Sequence, residues 1–367
     1  MKILIVIDSL GSGGAQRIAA YLAQGLYKKD HLVEVFVYND RFNFFKSDFE
    51  RFNIKIHTVK NNFKSKNKIL RALNILLSLR QIIGNYDGIV AFMHLPSIYS
   101  AISKIGISKG KLAVFELSSS IAPVPKYKRI LFYLSCLLSD TVITNSHTET
   151  KIMQKKLGLA KKSFTIWNGY NVEKMQPKYS TNNGKIKSLL IVGRIAYPKN
   201  GVNLLKGLNI FLNKHGWLPN VVWAGREDND RRSVIMQNNM KEYLLMNPNL
   251  SRKFNFIGEV KDINSFYNST DALIHPSIYE GLPNVICEAM ILGCCVIASN
   301  VCDHPLILNN KRGILFDPKF PSSISEAIES FNKLSIKRRN EMAINARRFS
   351  EENFSLDKMV ESFENLF

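Results

Sequence analysis

No apolar stretch of the sequence approaches the about 18 residues that a membrane-spanning helix needs, so the pattern excludes a spanning segment. The opening MKILIVID has one lysine and only five consecutive apolar residues, Ile3 to Ile7. A secretory signal needs a longer apolar stretch and a small-residue cleavage site. The run is therefore expected to be a buried parallel strand, and the protein to stay in the cytoplasm. Cysteine is scarce too: the five, Cys136, Cys287, Cys294, Cys295 and Cys302, form no metal-ligand spacing. Four of them lie in apolar sequence in the C-terminal half, where small buried hydrophobes are expected rather than a metal or redox centre.

Acidic residues are also in short supply, 30 Asp+Glu against 50 Lys+Arg, for a net charge of +20. The deficit is uneven: residues 1–178 hold 27 Lys+Arg and 11 Asp+Glu, and residues 179–367 hold 23 and 19. A basic first half implies an anionic partner there, whether nucleic acid, acidic lipid or a phosphorylated acceptor. From Arg51 to Tyr86 there are eight basic residues and no acidic one. That stretch contains KILRALNILLSLRQII, with Ile69, Leu70, Leu73, Leu76, Leu77 and Leu79 at helical spacing. A second segment, KYKRILFYLSCLL (126–138), again joins cations to an apolar run. Two placements fit such helices: in a membrane interface, or packed into the core with solvated lysines.

What is present is enough apolar sequence, 46% of 367 residues, for two buried cores rather than one. Strand-like KILIVID, HLVEVFVY, IKIHTV, GIVAFM, KLAVFEL and DTVITNS alternate with helical patterns, as a parallel sheet with crossover helices requires. The polar stretch 171–187 reads as a linker, after which the alternation restarts with SLLIVGR, VVWAG, FNFIG, ALIHPS, CVIAS and GILF. The expected fold class is α/β, with two Rossmann-like α/β/α domains facing across a cleft. The boundaries read 1–175 for a basic first domain and 176–350 for a second domain of more balanced charge. A C-terminal helix over 351–367 is expected to pack back on the first domain, and the stretch from Ser335 to Phe367 to form one or two amphipathic helices.

Several turns carry chemistry. LGSGGAQR follows a strand and opens a helix, where Gly11, Gly13 and Gly14 let backbone N–H groups approach an anion. The third position of the dinucleotide fingerprint is Gln16, and Glu34 lies where an acidic ribose ligand would be expected; a plain tight turn is the alternative. After the strand LLIV, GRIAYPKNG places Arg194 and Lys199 at a strand's carboxyl end. A guanidinium fork and an ammonium suit a departing pyrophosphate, although two solvated loop cations would look the same. HPSIYEGLPNVICEAMILG carries Glu280 and Glu288 seven residues apart in the intervening chain, the first before a Gly-Leu-Pro-Asn turn and the second inside the following helix. A carboxylate so placed accepts hydrogen bonds from adjacent sugar hydroxyls, and a general acid/base pair is the other reading.

Together, SIYEGLPNVICEAMILG, VGRIAYPKNG, FIGEVKDINSFYNSTDALIHPS and GGAQRIAAYLAQGL resemble the retaining glycosyltransferases of the two-Rossmann GT-B type, family 4-like, that build bacterial surface polysaccharides. The resemblance covers nearly the whole chain. It implies a nucleotide-sugar donor, no metal or other cofactor, a polyprenyl-diphosphate-linked saccharide acceptor and an anionic membrane surface as partner, with no nucleic acid. The implied location is the inner face of the cytoplasmic membrane, and the implied process is O-antigen or capsule synthesis. Glu288 is then expected on the ribose, and Glu280 near the donor sugar with Gly281, Leu282, Pro283 and Asn284. Arg194 and Lys199 are expected on the diphosphate, approached by Gly13 and Gly14. Asn145 and Ser146 in VITNSHTE are weaker candidates on the acceptor side.

Two departures from the family pattern stand out. Many relatives end a strand with Glu-His, whereas here Glu116 is followed by Leu117. His94 in AFMHLPS is the candidate substitute, an ordinary loop histidine the alternative. Leu306 in CDHPLIL occupies a place where relatives often carry glutamate. A sugar-nucleotide epimerase or hydrolase on the same fold would share most of these motifs, but would turn over the donor without an acceptor. A nicotinamide-dependent dehydrogenase would use the first glycine turn and leave Arg194, Lys199 and the glutamate pair unexplained.

Overall fold

The computed structural model describes residues 1–59, 67–117, 119, 124–179, 184–260 and 262–367. They divide into two compact units, Met1–Tyr170 with Phe354–Phe367, and Asn171–Asn353. The division thus falls at Asn171 and Phe354 rather than at 176 and 351. The polar stretch read as a linker over 171–187 lies within the second unit, with 180–183 outside the described residues. Its start is held there by Arg347, whose guanidinium donates to the carbonyls of Val172, Met175 and Ile291. The polar composition of that stretch hid this tie.

The first unit runs β1 (Lys2–Ile7), α1 (Gly14–Lys28), β2 (Leu32–Val37), α2 (Lys46–Glu50), β3 (Lys55–Thr58), α3 (Lys68–Ile83), β4 (Gly88–Phe92), α4 (His94–Lys104), β5 (Lys111–Glu116), α5 (Lys126–Leu138), β6 (Thr141–Thr144), α6 (His147–Leu157) and β7 (Ser163–Thr165). Its sheet has the order β3-β2-β1-β4-β5-β6-β7 with parallel pairing. ILIVI and GIVAF are apolar at every position because helices cover both faces of a parallel sheet. Right-handed crossovers leave α1 and α2 on one face and α3, α4 and α5 on the other, because the chain steps one way from β1 to β3 and the other way from β4 to β6. On the second of these faces α4 packs against both α3 and α5.

Helix α3 forms where the apolar spacing indicated, and its two apolar sides are used differently. Of the six apolar positions picked out there, only Leu79 is buried. The core takes the ridge Ile75, Leu79 and Ile83, spaced by four, while Ile69, Leu70, Leu73 and Leu77 face outward. A helix apolar on two sides can dock by either, and periodicity alone does not choose.

The second unit runs β8 (Ser188–Val192), α7 (Gly201–His215), β9 (Asn220–Ala224), α8 (Arg231–Met246), α9 (Pro248–Ser251), β10 (Phe254–Gly258), α10 (Asn264–Ser269), β11 (Ala272–His275), α11 (Asn284–Ile291), β12 (Cys295–Ser299), α12 (His304–Leu308), β13 (Ile314–Phe316), α13 (Pro321–Asn332) and α14 (Ile336–Asn353). Its parallel sheet has the order β10-β9-β8-β11-β12-β13. Trp223, Phe211 and Phe331 fill the core. The chain then returns to the first unit, where α15 (Leu356–Glu364) packs on α1. The terminal stretch is therefore two helices, one in each unit. Among the described residues no helix is long and apolar enough to cross a membrane.

Candidate active site

In each sheet the strand order reverses at one point, between β1 and β4 in the first unit and between β8 and β11 in the second. Loops leaving the strands on either side of such a point diverge, which opens a crevice above their carboxyl ends. Most of the residues singled out from sequence follow these strands.

In the second unit, Gly193 after β8 and Gly225 after β9 have φ of +132° and +157°. A Cβ on Gly225 would lie 2.0 Å from the Gly193 carbonyl oxygen, which also accepts a hydrogen bond from Trp223 Nε1 at 2.8 Å. Only glycine permits this approach. It leaves Arg194 pointing out, 59% exposed and paired with Asp228, and folds Lys199 back so that its Cε would be 3.2 Å from a Cβ on Gly193. The two cations thus have separate anionic partners. Lys199 Nζ donates to Glu280 Oε1 at 2.5 Å, Ser277 Oγ donates to the same oxygen at 2.8 Å, and His275 Nε2 lies 3.3 Å from it. Burial pushes the Glu280 carboxyl up, but the Lys199 charge and the His275 hydrogen bond pull it further the other way, well below the usual range. It is a carboxylate at neutral pH.

His275 and Ser277 were not among the residues singled out, although HPSIYEG places them five and three positions before Glu280. His275 is fully buried, and burial, aided by the Lys199 charge, pushes its pKa down to about 3. His304, also buried and bonded through Nδ1 to the Ser299 carbonyl at 2.7 Å, is pushed down for the same reason. Both rings are therefore neutral in the fold and protonated once exposed. The unfolded chain binds more protons below its ordinary pKa of about 6.5, so their contribution is complete above that pH and is lost as pH falls, for His275 down towards 3. The melting temperature should decline steadily from pH 7 to pH 4.5, with up to about 1.4 kcal/mol lost per pH unit through His275 and a further loss through His304. A melting temperature flat across that window would contradict the neutral burial of His275.

Gly281, Leu282 and Pro283 are buried, Pro283 occupies the N-cap position, and Asn284 opens α11. The N–H groups of a helix's first turn have no partner within the helix and favour an anion. Glu288 sits in the second turn of α11, only 4% exposed, and its carboxylate accepts a hydrogen bond from Tyr267 at 3.3 Å. Tyr267 lies in the quoted segment FIGEVKDINSFYNSTDALIHPS, but 21 residues before Glu288, so its contact with that carboxylate was not legible from spacing. Of the cysteines, Cys136, Cys287, Cys294 and Cys295 are buried, whereas half-buried Cys302, at φ +49°, accepts from the Glu280 N–H at 3.3 Å. Leu306 is exposed in the five-residue α12. Among the described residues no group of three His, Cys, Asp or Glu is arranged to hold a metal ion.

In the first unit, Gly13 is the N-cap of α1 with no side chain in place, and Gly14 is the helix's first residue. Gln16, standing where the fingerprint has a third glycine, instead folds back under Gly13 and donates to Asp8 Oδ1 at 2.8 Å. Glu34 does not reach a strand end. It pairs with Leu4 in mid-sheet and is nearly buried, bonded by Tyr86 at 2.7 Å and by His57, with Lys2 at 3.7 Å. The ribose role expected for it is therefore withdrawn: distance along the sequence matched, but the strand register did not. His94 is not a loop residue. It opens α4 directly after Met93, whose φ of +70° is costly for a residue with a side chain. That turn brings His94 Nδ1 to 3.5 Å from Glu116 Oε2 and sets the ring edge-on to Phe132. A histidine ring thus stands beside Glu116 in space, carried at the end of the neighbouring strand β4. Asn145, 2% exposed after β6, has a buried Oδ1 with no hydrogen-bond partner among the described residues. Ser146 caps α6 by accepting from the Glu149 N–H.

Two parallel-sheet Rossmann-like units with cations, carboxylates and a helix start gathered above their strand ends define the GT-B class. Residues 12–174 match the family model described as Glycosyltransferase Family 4, and residues 172–349 match Glycosyl transferases group 1. The chain belongs to this family of glycosyltransferases. A Campylobacter jejuni relative, GalNAc-alpha-(1->4)-GalNAc-alpha-(1->3)-diNAcBac-PP-undecaprenol alpha-1,4-N-acetyl-D-galactosaminyltransferase, is 26% identical over 86% of this chain and 84% of its own. A second from that organism, N-acetylgalactosamine-N,N'-diacetylbacillosaminyl-diphospho-undecaprenol 4-alpha-N-acetylgalactosaminyltransferase, is 22% identical over 98% of both. The fold matches that of HepE from Anabaena in complex with UDP and glucose, with a TM-score of 0.81 at 20% identity, over 100% of this chain and 98% of the other.

Proposed function

We propose that the protein moves a hexose or N-acetylhexosamine from a nucleoside diphosphate sugar, with uridine diphosphate favoured, to a saccharide carried on a polyprenyl diphosphate. The transfer retains anomeric configuration, needs no metal ion, and takes place at the inner face of the cytoplasmic membrane during O-antigen or capsule synthesis. The observation that carries this reading is the Lys199–Glu280 pair set beside the start of α11 at the carboxyl ends of β8 and β11. The two Campylobacter relatives, whose names describe transfer of N-acetylgalactosamine to diphospho-undecaprenol saccharides, support the sugar and acceptor classes.

Breaking the bond between the anomeric carbon and the phosphate oxygen places charge on the departing diphosphate while the carbon becomes cation-like. Lys199, Arg194 and the first N–H groups of α11 supply positive charge without a rearrangement at the moment of reaction. Arriving phosphate oxygens share the Lys199 ammonium with Glu280, whose second carboxylate oxygen stays available to sugar hydroxyls. The acceptor hydroxyl attacks from the leaving-group side, the new carbon–oxygen bond forms as the old one breaks, and the proton passes to a leaving phosphate oxygen. No protein general base is assigned. Glu288 is assigned to the ribose, which requires its carboxylate to turn from Tyr267. Gly13 and Gly14 are assigned to the diphosphate, and His94 with Glu116, Asn145 and Ser146 to the acceptor side.

Incubation with a panel of nucleotide sugars and a short-chain prenyl diphosphate saccharide, in chelator, tests the reading by product mass and anomeric coupling. An α-linked product from an α-linked donor is expected, formed only with acceptor present. Turnover of the donor without acceptor would favour the epimerase or hydrolase, and an inverted product would remove the retaining mechanism.

A further inference from the structure

Three neighbouring helices of the first unit, α3, α4 and α5, contain no acidic residue, and their outer sides are apolar. In α5 the residues Tyr127, Ile130, Leu131, Leu134, Leu137 and Leu138 recur at intervals of three and four, one continuous stripe, and each is 41 to 61% exposed. Only Phe132, Ser135 and Cys136 of that helix are buried. The helix is amphipathic with its apolar stripe facing away from the protein, the reverse of a core helix. The outward ridge of α3, Ile69, Leu70, Leu73 and Leu77, repeats the pattern on the same face of the sheet, and α4 between them adds exposed Leu95 and Ile102, with Ile105 just after its end. Lys68 and Arg71 of α3 and Lys126, Lys128 and Arg129 of α5 accompany these stripes.

We infer that this three-helix face docks on an anionic lipid bilayer, with the α5 stripe and the α3 ridge entering the interface and the lysines and arginines meeting lipid phosphates. Charge selects the occupant. Pairing the face with a second copy would set cations against cations, whereas an anionic bilayer takes up both the apolar stripe and the positive charge. The inference builds on the proposed lipid-linked acceptor, whose anchor it would bring within reach.

The test is co-sedimentation of the full chain with phosphatidylcholine vesicles, with and without phosphatidylglycerol, at low and high salt. Binding to the anionic vesicles alone is expected, weakened by salt. Leu131→Glu with Leu134→Glu, both at exposed positions, should lower the partition coefficient at least about tenfold without shifting the melting temperature. Lys126→Glu with Arg129→Glu should do the same, while Leu245→Glu, on the second unit, should bind as the parent does. Absence of parent binding to anionic vesicles at low salt, or α5 variants that bind like Leu245→Glu, would overturn the inference. So would a concentration-dependent dimer abolished by the α5 substitutions, which would make a second copy the occupant. The readout needs neither donor nor acceptor, so a negative result alongside an intact nucleotide-induced thermal shift removes the docking face and leaves the transfer reaction standing.

Discussion

Lys199→Ala is expected to lower kcat by about 10²–10³-fold, because the proposed transfer relies on its fixed charge at the leaving diphosphate as the bond breaks. The same substitution leaves Glu280 without its cation in a site where both side chains are less than a quarter exposed, so it should also cost about 1–3 kcal/mol of stability. The two effects are separable. Adding Glu280→Gln removes the unpaired carboxylate and should restore much of the melting temperature, but turnover should stay low. Steady-state kinetics and thermal melts on the single and double variants check this. A double variant that regained turnover along with stability would make the pair structural only. Arg194→Ala should cost less than Lys199→Ala, since the guanidinium is more than half exposed and is held by Asp228. A turnover number within about threefold of the parent would remove Arg194 from the leaving-group role altogether.

Gly225→Ala is expected to be the most damaging single-methyl change in the second unit, at about 3–5 kcal/mol. The added carbon would meet the Gly193 carbonyl carbon at 2.5 Å and the Arg194 nitrogen at 3.2 Å, backbone atoms that no rotamer change can move. The Gly225 N–H also donates to the Gly258 carbonyl at 2.7 Å, so retreat in the other direction breaks a second contact. A melting temperature lower by roughly 8–15 °C is expected, scaled to a unit of this size. Gly13→Ala offers the contrast: its new carbon would meet only the end of the Gln16 side chain, which can swing aside. Near-parental stability for Gly225→Ala would mean that the β8 and β9 loops are not held together as described.

The alternation of strands and the Gly-rich, Gly-Arg and Glu-Gly-Leu-Pro turns were legible in the sequence because each depends on local rules: runs of apolar residues for parallel strands, glycine where backbones meet, and proline at a helix start. Lys199 and Glu280 were each identified, but their contact was not, since 81 residues separate them. His94 shows the same limit more sharply. One-dimensional comparison with Glu-His strand ends shows no histidine after Glu116, whereas the adjacent strand β4 sets His94 beside Glu116 through a strained Met93. Glu34 failed for the opposite reason: counting residues placed it at a ribose site, and its strand register buried it beside His57 and Tyr86. The start of the second unit was hidden by composition, because a stretch rich in polar residues looks like a linker even where a buried arginine holds the carbonyls of its Val172 and Met175.

The central claim is that the second unit holds a nucleoside diphosphate through Lys199 and the start of α11, without a metal ion. Thermal-shift titration with UDP, GDP and ADP, in the presence of chelator and for the parent and Lys199→Ala, tests it most directly. One nucleotide should stabilise the parent by about 2.7 kcal/mol at a hundredfold excess over its Kd, and the shift should largely vanish in the variant. A folded parent that shifts with none of the three, or a shift unaffected by loss of Lys199, would contradict it.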